Sequence, residues 1–237
     1  MKTATLFGIA AMSLTTLGAA SAFATPTLTV TVGSYSANPS FISLGSGNYY
    51  TGPSQVGGVS WGDITAAASD PTSSGAYQLS LTIHNLSNGN SGSSTVNFVA
   101  SDNGFTLPAN QGIGQIQANL TTNVTSGTTA ESIASGGSVN SDSTTLSTIS
   151  FVSATGLAEY GQTGSTVSIN AASNIGTVTL GTSDSLTLSH GTLINSVNSV
   201  VLATPTTVTT PEPATLALFA VGGLALLAAG RRHKSRS

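Results

Sequence analysis

From Leu28 onward, apolar and polar residues alternate in short runs. Leu28, Val30 and Val32 alternate with Thr27, Thr29 and Thr31, and Leu79, Leu81 and Ile83 alternate with Gln78, Ser80 and Thr82. Successive side chains of a strand point to opposite faces, so this period of two predicts strands that each bury one face. The same pattern marks Ser94 to Ser101, Gly114 to Thr121, Thr144 to Ser153, Ser165 to Asn170, Asn174 to Leu180 and Ser185 to Ser189. Thr192 to Ala203 could also stripe a helix through Leu193, Ile194, Val197, Val200 and Val201, but its Asn and Ser content favours a strand. Turn formers punctuate the runs at Asn88-Gly89-Asn90, Gly136-Gly137 and His190-Gly191. Asp102-Asn103-Gly104, between Val96 to Val99 and Phe105 to Pro108, predicts a hairpin. Residues 121 to 148, rich in Gly, Ser and Thr, read as a mobile insertion. Strands at this spacing, without intervening helices, predict an all-β body over residues 25–203, an antiparallel β-sandwich of jelly-roll-like type.

Two segments break the alternation, one at each end. Residues 1–24 combine Lys2, an apolar run through Leu6, Phe7, Ile9 and Leu14, and the small residues Ala22 and Ala24. That is the layout of a secretory signal helix, and it predicts cleavage by signal peptidase between Ala24 and Thr25. At the other end a linker, residues 204–210, leads to Pro211-Glu212-Pro213, an apolar segment over residues 214–229 and a tail over residues 230–237. The two prolines hold Glu212 extended and open to a protease. About 16 apolar residues make a helix of roughly 24 Å, short for a hydrocarbon layer of roughly 30 Å. Arg231, Arg232, Lys234 and Arg236 form a cytoplasmic stop by the positive-inside rule, which puts the body outside.

Pro211-Glu212-Pro213, the short apolar segment and the basic tail together resemble the PEP-CTERM sorting domain over residues 211–237. The resemblance implies an exported bacterial protein that is held briefly in the inner membrane by a transmembrane helix. An exosortase-type membrane protease then processes it at or near the Pro-Glu-Pro segment, sending the body to the cell surface or the medium. It also implies an exopolysaccharide or biofilm setting and a body that is often a glycoprotein. It gives the body an address and not an activity.

Charge sharpens the picture of the body. Every Lys and Arg lies in an end segment, leaving Asp63, Asp70, Asp102, Glu131, Asp142, Glu159 and Asp184 between Thr25 and Thr210 with no basic partner except His84 and His190. Binding a phosphate backbone needs clustered Lys or Arg, so nucleic acid is excluded as a partner. Cys is absent, which excludes disulfides and thiolate chemistry. Roughly a third of the chain is Ser or Thr, yet 39% is hydrophobic, which favours a folded β protein over a disordered stalk. One prediction follows directly: once both ends are removed, trypsin should not cut the body even when it is denatured. A tryptic ladder from the denatured, processed protein on a gel would contradict it.

Catalytic chemistry has little to stand on. No G-x-S-x-G elbow occurs, the body has no Lys for an S-x-x-K pair, and neither histidine has metal-ligand spacing. His84 falls in the solvent phase of its strand and His190 in a turn. No cofactor, metal or catalytic residue is therefore assigned, and the body reads as a non-enzymatic surface or matrix protein. Trp61 with Asp63 is the one suggestive pair, since Trp stacks on sugar rings and Asp accepts their hydroxyls. It supports an alternative, a carbohydrate-binding module, against the plainer reading of Trp61 as core. An exported polysaccharide hydrolase, needing two carboxylates across a cleft, is a third possibility.

Overall fold

The computed structural model describes residues 23–69, 75–126, 131–145, 149–151, 158–164 and 166–208. In chain order the strands are β1 (Thr27–Val32), β2 (Tyr35–Ala37), β3 (Ile42–Gly45), β4 (Asn48–Thr51), β5 (Ser54–Val56), β6 (Val59–Trp61), β7 (Asp63–Ser69) and β8 (Tyr77–Asn88). They continue with β9 (Ser94–Thr106), β10 (Gln111–Ser126), β11 (Glu131–Val139), β12 (Asp142–Thr145), β13 (Ile149–Phe151), β14 (Ala158–Thr163) and β15 (Val167–Ser168). A 3-10 turn over Ala171–Ser173 precedes β16 (Thr177–Leu188) and β17 (Leu193–Thr207).

Two antiparallel sheets result. One runs β12-β11-β16-β9-β1-β2 and the other β14-β10-β17-β8-β7-β4-β3. The long strands β9 and β16 sit at the centre of the first, and β8 and β17 at the centre of the second. The alternation read from the sequence decides which face each strand buries. Leu79, Leu81 and Ile83 of β8 are fully buried, as are Val197 and Val201 of β17, while the intervening Gln78, Ser80 and Thr82 face outward. All of these apolar side chains belong to a single core between the sheets. Aromatic rings lock it across the gap: Trp61 meets Phe98 edge-on at 5.9 Å, and Tyr77 meets Phe105 at 6.1 Å. The sheets approach closely at Gly137, where a side chain would meet Val201 at 2.8 Å.

Several expectations need correction. Asp102-Asn103-Gly104 does not turn the chain, because β9 runs straight through it. The register with β16 shifts there, Phe105 facing Val178 and Asp102 facing Leu180, which is a β-bulge. The Asp102 side chain accepts the Gly104 N–H at 2.8 Å, so the local bond that often starts a turn here shapes the bulge instead. Gly136-Gly137 lies inside β11, and the two segments read around Asn174 to Leu180 and Ser185 to Ser189 merge into β16. In residues 121–148 the described parts are sheet rather than insertion. Residues 204–207 belong to β17 and pair with β10, from Thr204 opposite Gln115 to Thr207 opposite Gln111. Among the described residues no helix is long and apolar enough to cross a membrane. The expected signal helix and the expected span at 214–229 lie outside the described residues.

Candidate functional site

The sugar-contact pair does not survive folding. Trp61 is 2% exposed, its ring packed on Phe98 in the core, so no face is open for a sugar to stack on. Sequence adjacency misled here, because Trp61 ends β6 facing inward whereas Asp63 opens β7 on the outer side. Asp63 finds a different partner. It stands opposite His84 across the β7–β8 ladder, with His84 Nε2 3.8 Å from Asp63 Oδ1 and both side chains partly exposed.

The same register row continues to Ser196 of β17, which stands opposite His84, and to Asn123 of β10, which stands opposite Ser196. An Asp, a His and a Ser are thus brought into line by strand pairing alone, which spacing along the chain could not reveal. The hydroxyl of Ser196 accepts from Asn123 Nδ2 at 3.3 Å, and no hydrogen bond joins it to His84. A general base takes a serine's proton through such a bond. Asp63, His84 and Ser196 lie partly exposed on the outer sheet face. Among the described residues no cluster of three or more His, Cys, Asp or Glu could hold a metal ion.

A second polar group lies inside the sandwich. Asp184 of β16 is 1% exposed, and its Oδ2 accepts from the Ser199 hydroxyl of β17 at 2.7 Å. Ser199 in turn accepts from Thr182 at 3.0 Å, so the chain of hydroxyls ties the two sheets together. Burial pushes the Asp184 carboxyl up to about 6 from an ordinary 3.8, and the hydroxyls of Ser199 and Ser135 only partly oppose this. The Ser135 hydroxyl and Asp184 Oδ1 are both buried and miss full hydrogen-bond geometry. Buried at 1% exposure, the Asp184 side chain bridges β16 to β17 inside the core.

Of the residues expected at the processing sites, Ala24 and Thr25 are described and Ala22 is not. Ala24 is joined to the body, its carbonyl accepting from the Tyr49 hydroxyl at 2.9 Å. Pro211, Glu212 and Pro213, and the basic residues Arg231, Arg232, Lys234 and Arg236, lie outside the described residues. β17 delivers the chain toward them, and the last described residue, Val208, donates its N–H to the Asn110 carbonyl at 2.9 Å.

No curated protein matches this chain at a significant level. Residues 209–232 match the PEP-CTERM protein-sorting motif, and the match begins one residue beyond the last one described in the body. Such a motif marks a protein for export and for cell-surface or extracellular sorting by an exosortase-type enzyme. The expected sorting segment is therefore found where the Pro-Glu-Pro signature placed it, and this chain is a PEP-CTERM sorting domain-containing protein.

Proposed function

We propose that this chain is a non-enzymatic surface or matrix protein, anchored briefly in the inner membrane by residues 214–229 and freed near Pro211-Glu212-Pro213 to join an exopolysaccharide layer. The observation that carries the reading is the sorting motif at residues 209–232, set behind a separately closed β body. The outer faces of the sheets support the matrix role. They carry Thr29, Thr31, Ser80, Thr82, Ser196 and Asn198 between the buried apolar positions. Hydroxyls and amides of this kind exchange hydrogen bonds with sugar hydroxyls at little net cost, and the lack of cations leaves no strong pull toward polyanions.

The test is the carboxylate of Glu212. Glu212→Ala leaves both prolines to keep the segment extended and changes neither the apolar span nor Arg231 and Arg232. The unprocessed protein should collect in the inner membrane, read by comparing membrane and medium fractions with wild type. Deleting residues 231–237 should instead weaken retention at the helix stage. Release of the Glu212 variant at the wild-type level would reduce Pro-Glu-Pro to a linker and make a plain tail anchor the better account.

A further inference from the structure

The body contains a receptacle for residues that signal cleavage after Ala24 would discard. The ring of Phe23 packs edge-on against Phe105 with centroids 5.6 Å apart, and it joins the edge of the hydrophobic core. The Tyr49 hydroxyl donates to the carbonyls of both Phe23, at 3.3 Å, and Ala24. Two glycines make room for this segment. A side chain at Gly47 would meet the Phe23 ring at 3.0 Å, and one at Gly104 would collide with the Ala24 nitrogen and meet the Phe23 Cα at 2.9 Å. Gly104 is the bulge residue of β9, so the irregularity that replaced the expected hairpin is where the chain entering the body is seated.

Beside that seat lies a carboxylate without a counter-ion. Asp102 is 2% exposed; one of its oxygens holds the Gly104 N–H, while Oδ2 is buried with no partner. A buried carboxylate ordinarily demands a paired charge or further hydrogen bonds. Burial raises the Asp102 carboxyl above its ordinary range, the Gly104 N–H opposing only in part, and its charge helps raise the neighbouring Tyr49 phenol. No Lys or Arg exists anywhere in the body to neutralise it. Cleavage of the leader creates one cation that the sequence does not show, the new α-ammonium group.

We propose that signal peptidase cuts between Ala22 and Phe23, and that the mature chain docks its first residue into the body, the Phe23 ring against Phe105 and the Phe23 ammonium beside Asp102. The inference rests on the reading of residues 1–24 as a signal peptide and shifts its cleaved bond. Ala20-Ser21-Ala22 supplies the small residues that this bond requires. Hydrolysis consumes one water, which leaves Ala22 as a carboxylate and Phe23 as an ammonium. Cutting after Ala24 would instead strip Phe23 from its place and leave Tyr49 without either acceptor.

The test begins with N-terminal sequencing of the exported protein. Phe-Ala-Thr-Pro is expected. Thr-Pro-Thr would overturn the proposal and leave the signal peptide intact, whereas an N-terminal Met1 would overturn the signal peptide reading itself. Ala24→Leu should still be cut to give Phe23, and Ala20→Phe should block cutting; the reverse pattern would place the bond after Ala24. The ammonium is read separately, by the rate at which an amine-reactive acyl ester labels the N-terminus near pH 8. Pairing with Asp102 should slow labelling of the native protein about fourfold or more relative to the denatured protein, since raising an ordinary α-amino pKa of about 7.8 by one unit cuts the free amine at pH 8 by about that factor. Asp102→Asn should remove most of that protection. Equal rates for native and denatured wild type would refute the pairing even if the Asn variant failed to fold.

Discussion

Replacing Asp184 by Asn should make the body more stable at neutral pH, by about 3 kcal/mol, and should flatten its response to mild acid. The carboxyl is pushed up to about 6 in the folded protein from an ordinary 3.8, mainly by burial. A raised acid binds its proton more tightly when folded than when unfolded, so stability falls as pH rises between these two values. Wild type should thus be most stable below about pH 4, lose stability up to about pH 6 and level off above. Integrated over roughly two units, the loss comes to about 3 kcal/mol. Asp102, also raised by burial, adds to the loss in the same direction unless the chain terminus pairs with it. An amide at position 184 can still accept from Ser199 and has a hydroxyl at Ser135 to donate to, yet it has no charge to bury. Urea melts of wild type and variant from pH 3.5 to pH 8 would check this. Should wild type gain stability between pH 4 and pH 6, or the variant lose it at pH 7, Asp184 is held as a stabilised anion.

Asn88→Ala should have an effect of similar size and opposite sign, costing about 3–5 kcal/mol. Asn88 closes β8 and is 2% exposed. Its Nδ2 donates to the carbonyls of Gly92 at 2.9 Å, Leu188 at 2.9 Å and Ser189 at 3.1 Å. Its Oδ1 accepts from the Asn90 N–H and the Ser94 hydroxyl. The backbone joins in, since Asn88 N–H donates to Thr192 and Gly191 N–H donates to the Asn88 carbonyl. One side chain thereby fastens the β8–β9 turn to the β16–β17 turn, which connect the central strands of both sheets. Truncation removes five hydrogen bonds of about 0.5–1.5 kcal/mol each, the one to the Leu188 carbonyl fully buried, and opens a gap. Asn88→Asp should cost at least as much, because it sets a carboxylate against those carbonyls. Thermal melts would decide it, and a loss under about 1 kcal/mol for Asn88→Ala would mean that water replaces the clamp.

Much of this protein is legible from the order of its residues. The period-two alternation identified β1 and β8 and the faces they bury, because a strand's inward positions are set locally by the pleat and by the need to hide apolar surface, whereas β17 was read as a strand from its Asn and Ser content without its buried face. The sorting signal was equally legible, since a contiguous motif read by a processing enzyme needs no tertiary context. What folding alone decided are the relations between distant residues. Trp61 and Asp63 look like partners two positions apart, yet the chain turns between them and they part, whereas Asp63 and His84 meet only because β7 pairs with β8 in one register. Asp102-Asn103-Gly104 carries the local preference of a turn, but pairing along both edges of β9, with β1 and with β16, outweighs one turn and reduces it to a bulge. The cost of a charge buried at Asp184, the clamp at Asn88 and the seat for Phe23 all depend on segments tens of residues apart closing around one group. No local propensity records such an arrangement.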